Sequence, residues 1–311
     1  MRISVVIPSK DSPTLSDTLG SLAVSASRAP SIPLEVIVVD SSARPLTIAS
    51  DISDRINLTF IRKDLRMMEA RIEGIKATRS ESILSLDSDQ TVHPDLLAVL
   101  GRSTSAAVVI PELPLDDSHW TKLVQRAHER SAIFFRRRPT VDIPVIPRFY
   151  HKSALMKAVD ALCDAATRGS GGRLPTRHED TILFSYFLSA NRWSAAECVG
   201  FVDVPIYHGV PPLAMTGQKF YRYGRDLGQE SRRLRRGELV IDPHIWRNVY
   251  RVDYTRVLRY WDSAFGLDIA GITYDLYRSA FYFLGVASGY LSFESKGDSS
   301  IKNKAGGVKT Q

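Results

Sequence analysis

The octapeptide ILSLDSDQ, residues 83–90, runs from mostly apolar positions into two aspartates one residue apart, Asp87 and Asp89. In an extended segment, side chains two apart share a face, so both carboxylates fall on one side. Unpaired charge is costly to bury, which makes two carboxylates poor core material at the end of a buried strand. They suit a hard divalent cation, which in turn holds phosphate oxygens. They equally suit a solvated strand end, and the surrounding sequence has to decide between the two.

Working outward, Ile3–Ile7 and Leu34–Val39 are β-branched runs that read as buried parallel strands. Pro8 ends the first and Asp40-Ser41-Ser42 ends the second. Shorter strands are expected at Leu58–Ile61, Ile83–Leu86 and Ala106–Ile110. Helical spacing appears over 12–29, Met67–Thr78 and Pro94–Leu100. This alternation predicts an α/β fold, a mostly parallel central sheet flanked by helices. In such sheets ligands bind beyond the carboxyl ends of the strands. Asp11, Asp40, Asp87 and Asp89 all fall just past expected strands. The glycine patterns of dinucleotide-binding and P-loop sites are absent.

The chain has 311 residues and a formal net charge of +7, which favours an anionic partner. Its two cysteines, Cys163 and Cys198, supply neither a disulfide framework nor metal-ligand spacing, and they fit a reducing compartment. No apolar leader precedes Ile3, so a secretory signal peptide is not expected. The location expected is cytoplasmic, peripheral at the cytoplasmic membrane face.

VVIPSKDS at 5–12, EVIVVDSS at 35–42, EARIEGIKAT at 69–78, LSLDSDQTVHPD at 84–95 and HED at 178–180 together resemble the family 2 glycosyltransferases, with their GT-A, Rossmann-like nucleotide-sugar fold. The resemblance covers most of residues 3–200. It implies metal-dependent, inverting transfer of a sugar from a nucleoside diphosphate sugar to an acceptor hydroxyl. It implies Mg or Mn at the two aspartates. Carried over residue by residue, Pro8, Asp11 and Asp40 would hold the nucleoside, and Arg71 would sit near the donor phosphates. Asp87 would contact ribose or sugar, and Asp89 would bind the metal, with Asp87 and His208 as further metal candidates. Glu179 and Asp180 match the family's acidic pair, with Asp180 as the expected base. Glu129 and Arg148 are expected on the acceptor side. A mobile segment after the histidine commonly reaches the donor in this family, which makes Lys219, Arg222 and Arg225 donor candidates. Asp11 and Glu73 depart from the family's usual residues.

The chemistry itself asks for such groups. A cation offsets the charge of a departing diphosphate, and a carboxylate takes the proton of the attacking hydroxyl. Two other readings are a nucleotidyltransferase or sugar-nucleotide pyrophosphorylase, whose glycine-rich fingerprint is missing here, and a non-catalytic nucleotide-sugar-binding protein.

The expected division is a catalytic domain over 1–254, with a nucleotide-sugar half (1–110) and an acceptor half (111–254). A C-terminal helical extension follows over 255–293 and a disordered tail over 294–311. The uncharged run Ser279–Leu291 is shorter than the roughly 20 residues needed to span a bilayer. With Arg232, Arg233, Arg235 and Arg236 upstream, it suggests either a helix on the domain or contact with an anionic membrane surface. The acceptor would then be lipid-linked or membrane-proximal. No zinc-finger, RNP-like or helix-turn-helix signature accompanies the arginines, so nucleic acid is not an expected partner.

Overall fold

The fold was analysed in a computed structural model, which describes residues 1–44, 56–116, 118–137, 146–169, 174–175, 178–210, 212–247, 249 and 269–291. In chain order the elements are β1 (Ile3–Ser9), α1 (Leu15–Arg28), β2 (Leu34–Asp40), β3 (Asn57–Arg62), α2 (Met67–Ala77), β4 (Ser82–Ser85), β5 (Gln90–Val92) and α3 (Leu96–Leu100). Then come β6 (Ala107–Val109), β7 (Glu112–Pro114), α4 (His119–Arg137), β8 (Phe149–His151), α5 (Lys152–Thr167), α6 (Glu179–Asn191) and α7 (Ala195–Cys198). The chain continues through β9 (Val199–Phe201), β10 (Ile206–His208), α8 (Leu213–Arg235) and α9 (Ile269–Leu291).

Among the described residues, seven strands form one sheet in the order β3-β2-β1-β4-β8-β6-β9. The first four are parallel, as the β-branched runs predict. Strand β8 is antiparallel to both β4 and β6, so the sheet is mixed. Alternation along the strands sorts the core. Ile3, Val5, Ile7, Val36, Val38, Leu84 and Leu86 pack with α1 and α3 on one face. Val6 and Ile83 meet α2, α5 and α6 on the other. Strand β1 continues through Pro8 to Ser9, two positions further than expected. Beyond Val6 only β2 pairs with it, so a residue without an N–H is accommodated there. Helix α2 lies flat on the sheet because Gly74 has no Cβ; one added there would stand 2.4 Å from Val6 Cγ1.

Three further expectations change. Ala196–Val204, read as strand-like, is the short helix α7 followed by β9. Ser194 and Glu197 form a capping box that starts that helix, with Glu197 Oε2 accepting from the Ser194 N–H at 2.7 Å. The segment Gln218–Arg225, expected as a mobile segment, lies inside the 23-residue helix α8. The C-terminal region is more than an appendage. Helix α9 packs along α8, and its Tyr274 meets Trp120 of α4 at 5.1 Å between ring centres.

Helices α8 and α9 run parallel, since Gly217 faces Tyr277 and Phe281 while Gly228 faces Val286 and Tyr290. Their contact is built on two G-x-x-x-G pairs, Gly224/Gly228 and Gly285/Gly289. A Cβ at Gly224 would stand 1.9 Å from Tyr282 O, and one at Gly289 2.0 Å from Arg225 O. Backbones approach this closely only where side chains are absent. No described helix is long and apolar enough to cross a membrane. The expected boundary at residue 254, the stretch 255–268 and the tail 294–311 lie outside the described residues, as do positions 170–173 of the glycine-rich loop.

Candidate active site

Two arginines gather three carboxylates from separate parts of the chain, Asp87, Glu112 and Asp180, beyond the carboxyl end of β4. Arg71, on α2, is only 1% exposed. It donates through Nη2 to Asp87 Oδ1 at 2.9 Å, bonds Ser85 Oγ, and lies 3.3 Å from Asp180 Oδ1. Ser85 and Asp87 share a side by the two-residue period, which carries the β4 pattern one step past the strand. Arg148 precedes β8, and its backbone is held on both sides. Its N–H donates to Val108 O at 3.0 Å, and its carbonyl accepts from Ser85 N–H at 2.7 Å. Inserting β8 between β4 and β6 therefore aims the Arg148 guanidinium at the strand ends. Its Nη2 contacts Glu112 Oε1 at 2.9 Å and Asp87 Oδ2 at 3.3 Å, and its Nη1 contacts Asp180 Oδ2 at 3.2 Å.

Asp87 is thus held through both oxygens, one on each arginine, and so is Asp180. Burial alone would favour the neutral acid at Asp87. Arg148 and Arg71 outweigh it and hold the pKa down at about 2. Three carboxylates, counting Glu112, face two guanidiniums. The cluster therefore carries one more negative than positive charge.

The turn after Asp87 is fixed from outside. Hydroxyls of Ser12, Thr14 and Thr18 all donate to the Ser88 carbonyl, each at 3.1 Å. The Asp87 N–H donates to Gln90 Oε1 at 2.9 Å. Asp89 is exposed at this turn. Pro8 is buried in β1. Asp40, ending β2, is 3% exposed and accepts from the Ser42 N–H at 2.9 Å. Ser42 Oγ in turn accepts from the Asp11 N–H at 2.7 Å. Asp11 adopts a left-handed backbone, φ 49°. The expected nucleoside residues are therefore brought to one edge of the sheet.

Glu179 and Asp180 open α6, where the helix dipole favours acids. His178 just before them is left-handed, φ 55°, and its Nε2 lies 3.0 Å from the Tyr282 hydroxyl of α9. A non-glycine residue held in this region is often part of a functional turn. The C-terminal helix therefore supports the backbone that presents the acidic pair. Burial, reinforced by the neighbouring Asp180 charge, pushes the Glu179 carboxyl up to about 7.

That shift has a sign. The native carboxyl binds its proton more tightly than the unfolded one, whose pKa is about 4.3. Its unfavourable contribution is absent below the unfolded value, grows as pH rises toward 7, and is complete above it. Glu179→Gln removes it. The variant is expected to be more stable than the parent at pH 8 by about 2 kcal/mol, and equal to it at pH 4. Urea midpoints across that range check this, and a difference independent of pH counts against it.

Among the described residues, no three His, Cys, Asp or Glu side chains form a group able to hold a metal ion. The expected set Asp87, Asp89 and His208 does not form such a group, and both Asp87 oxygens bond arginines instead. His208 ends β10, opposite Gln90 of β5 in the second sheet. Glu129 is exposed on α4 and accepts from Gln125 Nε2 at 2.7 Å. Lys219, Arg222 and Arg225 lie along α8, with Lys219 5.7 Å above the Tyr223 ring. No described ion pair joins these three or Glu129 to the Arg71–Arg148 cluster. Sequence reading did not single out Ser85 or Tyr282. The period-2 spacing to Asp87 was a signal for Ser85, whereas nothing local marks Tyr282 as a partner of residue 178.

The sequence matches the family model described as glycosyl transferase family 2 over residues 4–161. No curated protein sequence matches it significantly. Among solved structures, the mannosyltransferase PcManGT from Pyrobaculum calidifontis, in complex with GDP-Man and Mn2+, superposes with a TM-score of 0.54 at 16% identity. That match covers 94% of this chain and 88% of the other, and it is a likeness of fold. S. aureus TarS 1-349 in complex with UDP gives a TM-score of 0.45 at 15% identity, covering 94% and 91%. Against the longer S. aureus TarS structure, this chain spans 55% of the length.

Proposed function

The chain belongs to glycosyl transferase family 2, and from that premise we propose that it moves a sugar from a nucleoside diphosphate sugar to an acceptor hydroxyl, with inversion, on a GT-A type fold. The observation that carries this reading is the double arginine bridge from Asp87 to Asp180. It ties the donor half of the chain (1–110) to the acceptor half (111–254) at the edge where Asp11 and Asp40 also lie.

In this reading Pro8, Asp11 and Asp40 receive the nucleoside, and Asp87, oriented by Arg71 and Arg148, faces ribose or sugar. Asp180 accepts the proton of the acceptor hydroxyl. As that O–H bond breaks, the oxygen forms its bond to the anomeric carbon from the side opposite the diphosphate. The electron pair of the old glycosidic bond leaves on the diphosphate. Arg148 and Arg71 keep the Asp180 carboxylate directed as the proton arrives.

Mg or Mn fits this site when the donor supplies part of its shell. Such ions are held by one or two carboxylates plus substrate phosphates, and Asp89 and His208 are the proposed protein ligands. The surplus negative charge of the cluster repels a bare diphosphate, so a divalent cation here supplies the charge neutralisation that lets it bind and leave. Lys219, Arg222 and Arg225 are proposed to reach the donor, and Glu129 the acceptor, only on a rearrangement of α8 and α4. The acceptor is proposed to be lipid-linked or membrane-proximal, with the protein peripheral at the cytoplasmic face.

Calorimetry with UDP, GDP and dTDP, each with and without Mn, tests the donor site. One nucleotide is expected to bind at least about tenfold tighter with Mn, a difference of about 1.4 kcal/mol. Binding of none of the three would sink the donor assignment. Binding unaffected by Mn removes the metal from it.

A further inference from the structure

We infer that Thr14 and Thr18 of α1 are positioning residues for the turn that presents Asp87 and Asp89 to the donor. Ser88 and Asp89 form that turn, and Ser88 stands between the two acids. The Ser88 carbonyl accepts from Thr14 Oγ1 and from Thr18 Oγ1, each at 3.1 Å, across 74 and 70 residues of chain. Ser12, in the loop before α1, donates a third hydroxyl at 3.1 Å and lies 3.3 Å from Thr14 Oγ1. A carbonyl oxygen has two lone pairs, so the third donor is surplus to it.

Both threonines forgo bonds that they would ordinarily make. Thr14 is the N-cap of α1, where a threonine hydroxyl normally accepts from a backbone N–H of the first turn. Its side chain makes no such bond and turns to Ser88 instead. A threonine inside a helix normally returns its hydroxyl to the carbonyl four residues back. For Thr18 that contact is the longer one, 3.4 Å to Thr14 O against 3.1 Å to Ser88 O. The rest of this helix face repeats the pattern. Positions 14, 18, 21 and 25 recur at helical spacing. Ser21 Oγ accepts from Val92 N–H at 3.0 Å, and Ser25 Oγ from Leu97 N–H at 3.2 Å. Helix α1 therefore holds the backbone of residues 88–97 by a row of hydroxyls. It is itself fixed to β1 and β2 through Leu15, Leu19 and Leu22. The loop entering α1 also carries Asp11, so the expected nucleoside edge and the acidic turn share one support.

This inference rests on the donor reading above, and its test separates the two. The full chain is given Thr14→Val with Thr18→Val, which remove the hydroxyls and keep the shape. Gln90 reads the turn, because its N–H donates to Asp87 O at 3.2 Å. Its amide exchange is expected to quicken at least about tenfold on loss of the two hydrogen bonds, while the amides of β2 exchange as in the parent. In calorimetry with UDP, GDP and dTDP, the tightening by Mn is expected to drop from about tenfold to about twofold, with binding in the absence of Mn unchanged. Thr14→Ser with Thr18→Ser keeps both hydroxyls and is expected to restore both readouts. Ser12→Ala is expected to match the parent. Equal Gln90 exchange in the valine variant and the parent overturns the proposal, as does undiminished tightening by Mn despite faster exchange. Failure of the serine variant to restore protection assigns the effect to methyl packing and overturns it as well. Ser12→Ala quickening exchange as much as the valine pair overturns the assignment to the threonines. A parent that binds none of the three nucleotides, or binds them without regard to Mn, fails the donor reading above; Gln90 exchange then decides alone whether the threonines hold the turn.

Discussion

Arg71→Met is expected to unfold at a much lower urea concentration than the parent, with a loss of about 3–5 kcal/mol, and to have no measurable transferase activity. Arg71 is fully buried and answers Asp87 and Asp180 at once. Methionine matches its length and packs against the same core, so the cost comes from the charges left behind. Asp87 and Asp180 would then share Arg148 alone, with Glu112 competing for the same guanidinium. Arg71→Lys separates charge from geometry. A lysine restores one cation but not the planar fork that reaches two carboxylates and Ser85, so stability should recover in part and activity much less. An unchanged urea midpoint in Arg71→Met would show that the cluster is not a structural keystone.

Asp180→Asn is expected to lower kcat by about 100- to 10,000-fold, the range ordinarily lost with a general base. It is expected to leave nucleoside diphosphate binding as tight as in the parent or tighter. The direction follows from the charge count, since removing one carboxylate takes away the surplus negative charge and frees one contact on each arginine. Single-turnover rates and calorimetry on the same preparation check both halves. Turnover near the parent's would remove Asp180 as base. The neighbouring Glu179 would then be tested through the pH dependence of kcat, since its carboxyl titrates near 7. Loss of nucleotide binding in Asp180→Asn would instead make the residue a donor-site support.

The two acidic residues of the pair differ for reasons that no reading of HED at 178–180 contains. Asp180 turns toward two buried guanidiniums, whereas Glu179 has a like charge beside it. Local sequence marked both as acids at a helix start. Which one is salt-bridged depends on where α2 and β8 deliver their arginines. Arg148 shows the same dependence. Its position before a short strand was legible, but its aim comes from β8 running antiparallel between β4 and β6.

Sequence alone determined the parallel half of the sheet, because runs such as Ile3–Ile7, Leu34–Val39 and Ile83–Leu86 are apolar on both faces and fit only a covered strand. It also placed Asp40, Asp87 and Asp89 at strand ends, since a charge after a buried run marks where the core stops. The parallel contact of α8 and α9 rests on Gly224-x-x-x-Gly228 and Gly285-x-x-x-Gly289, and each motif has meaning only opposite its partner. Only the tertiary structure decided that Asp87 serves two arginines and is not gathered with Asp89 and His208 as a metal group. The reason is physical. Backbone pattern depends on neighbours in the chain, while the pairing of the Asp87 charge depends on arginines brought from 16 and 61 residues away.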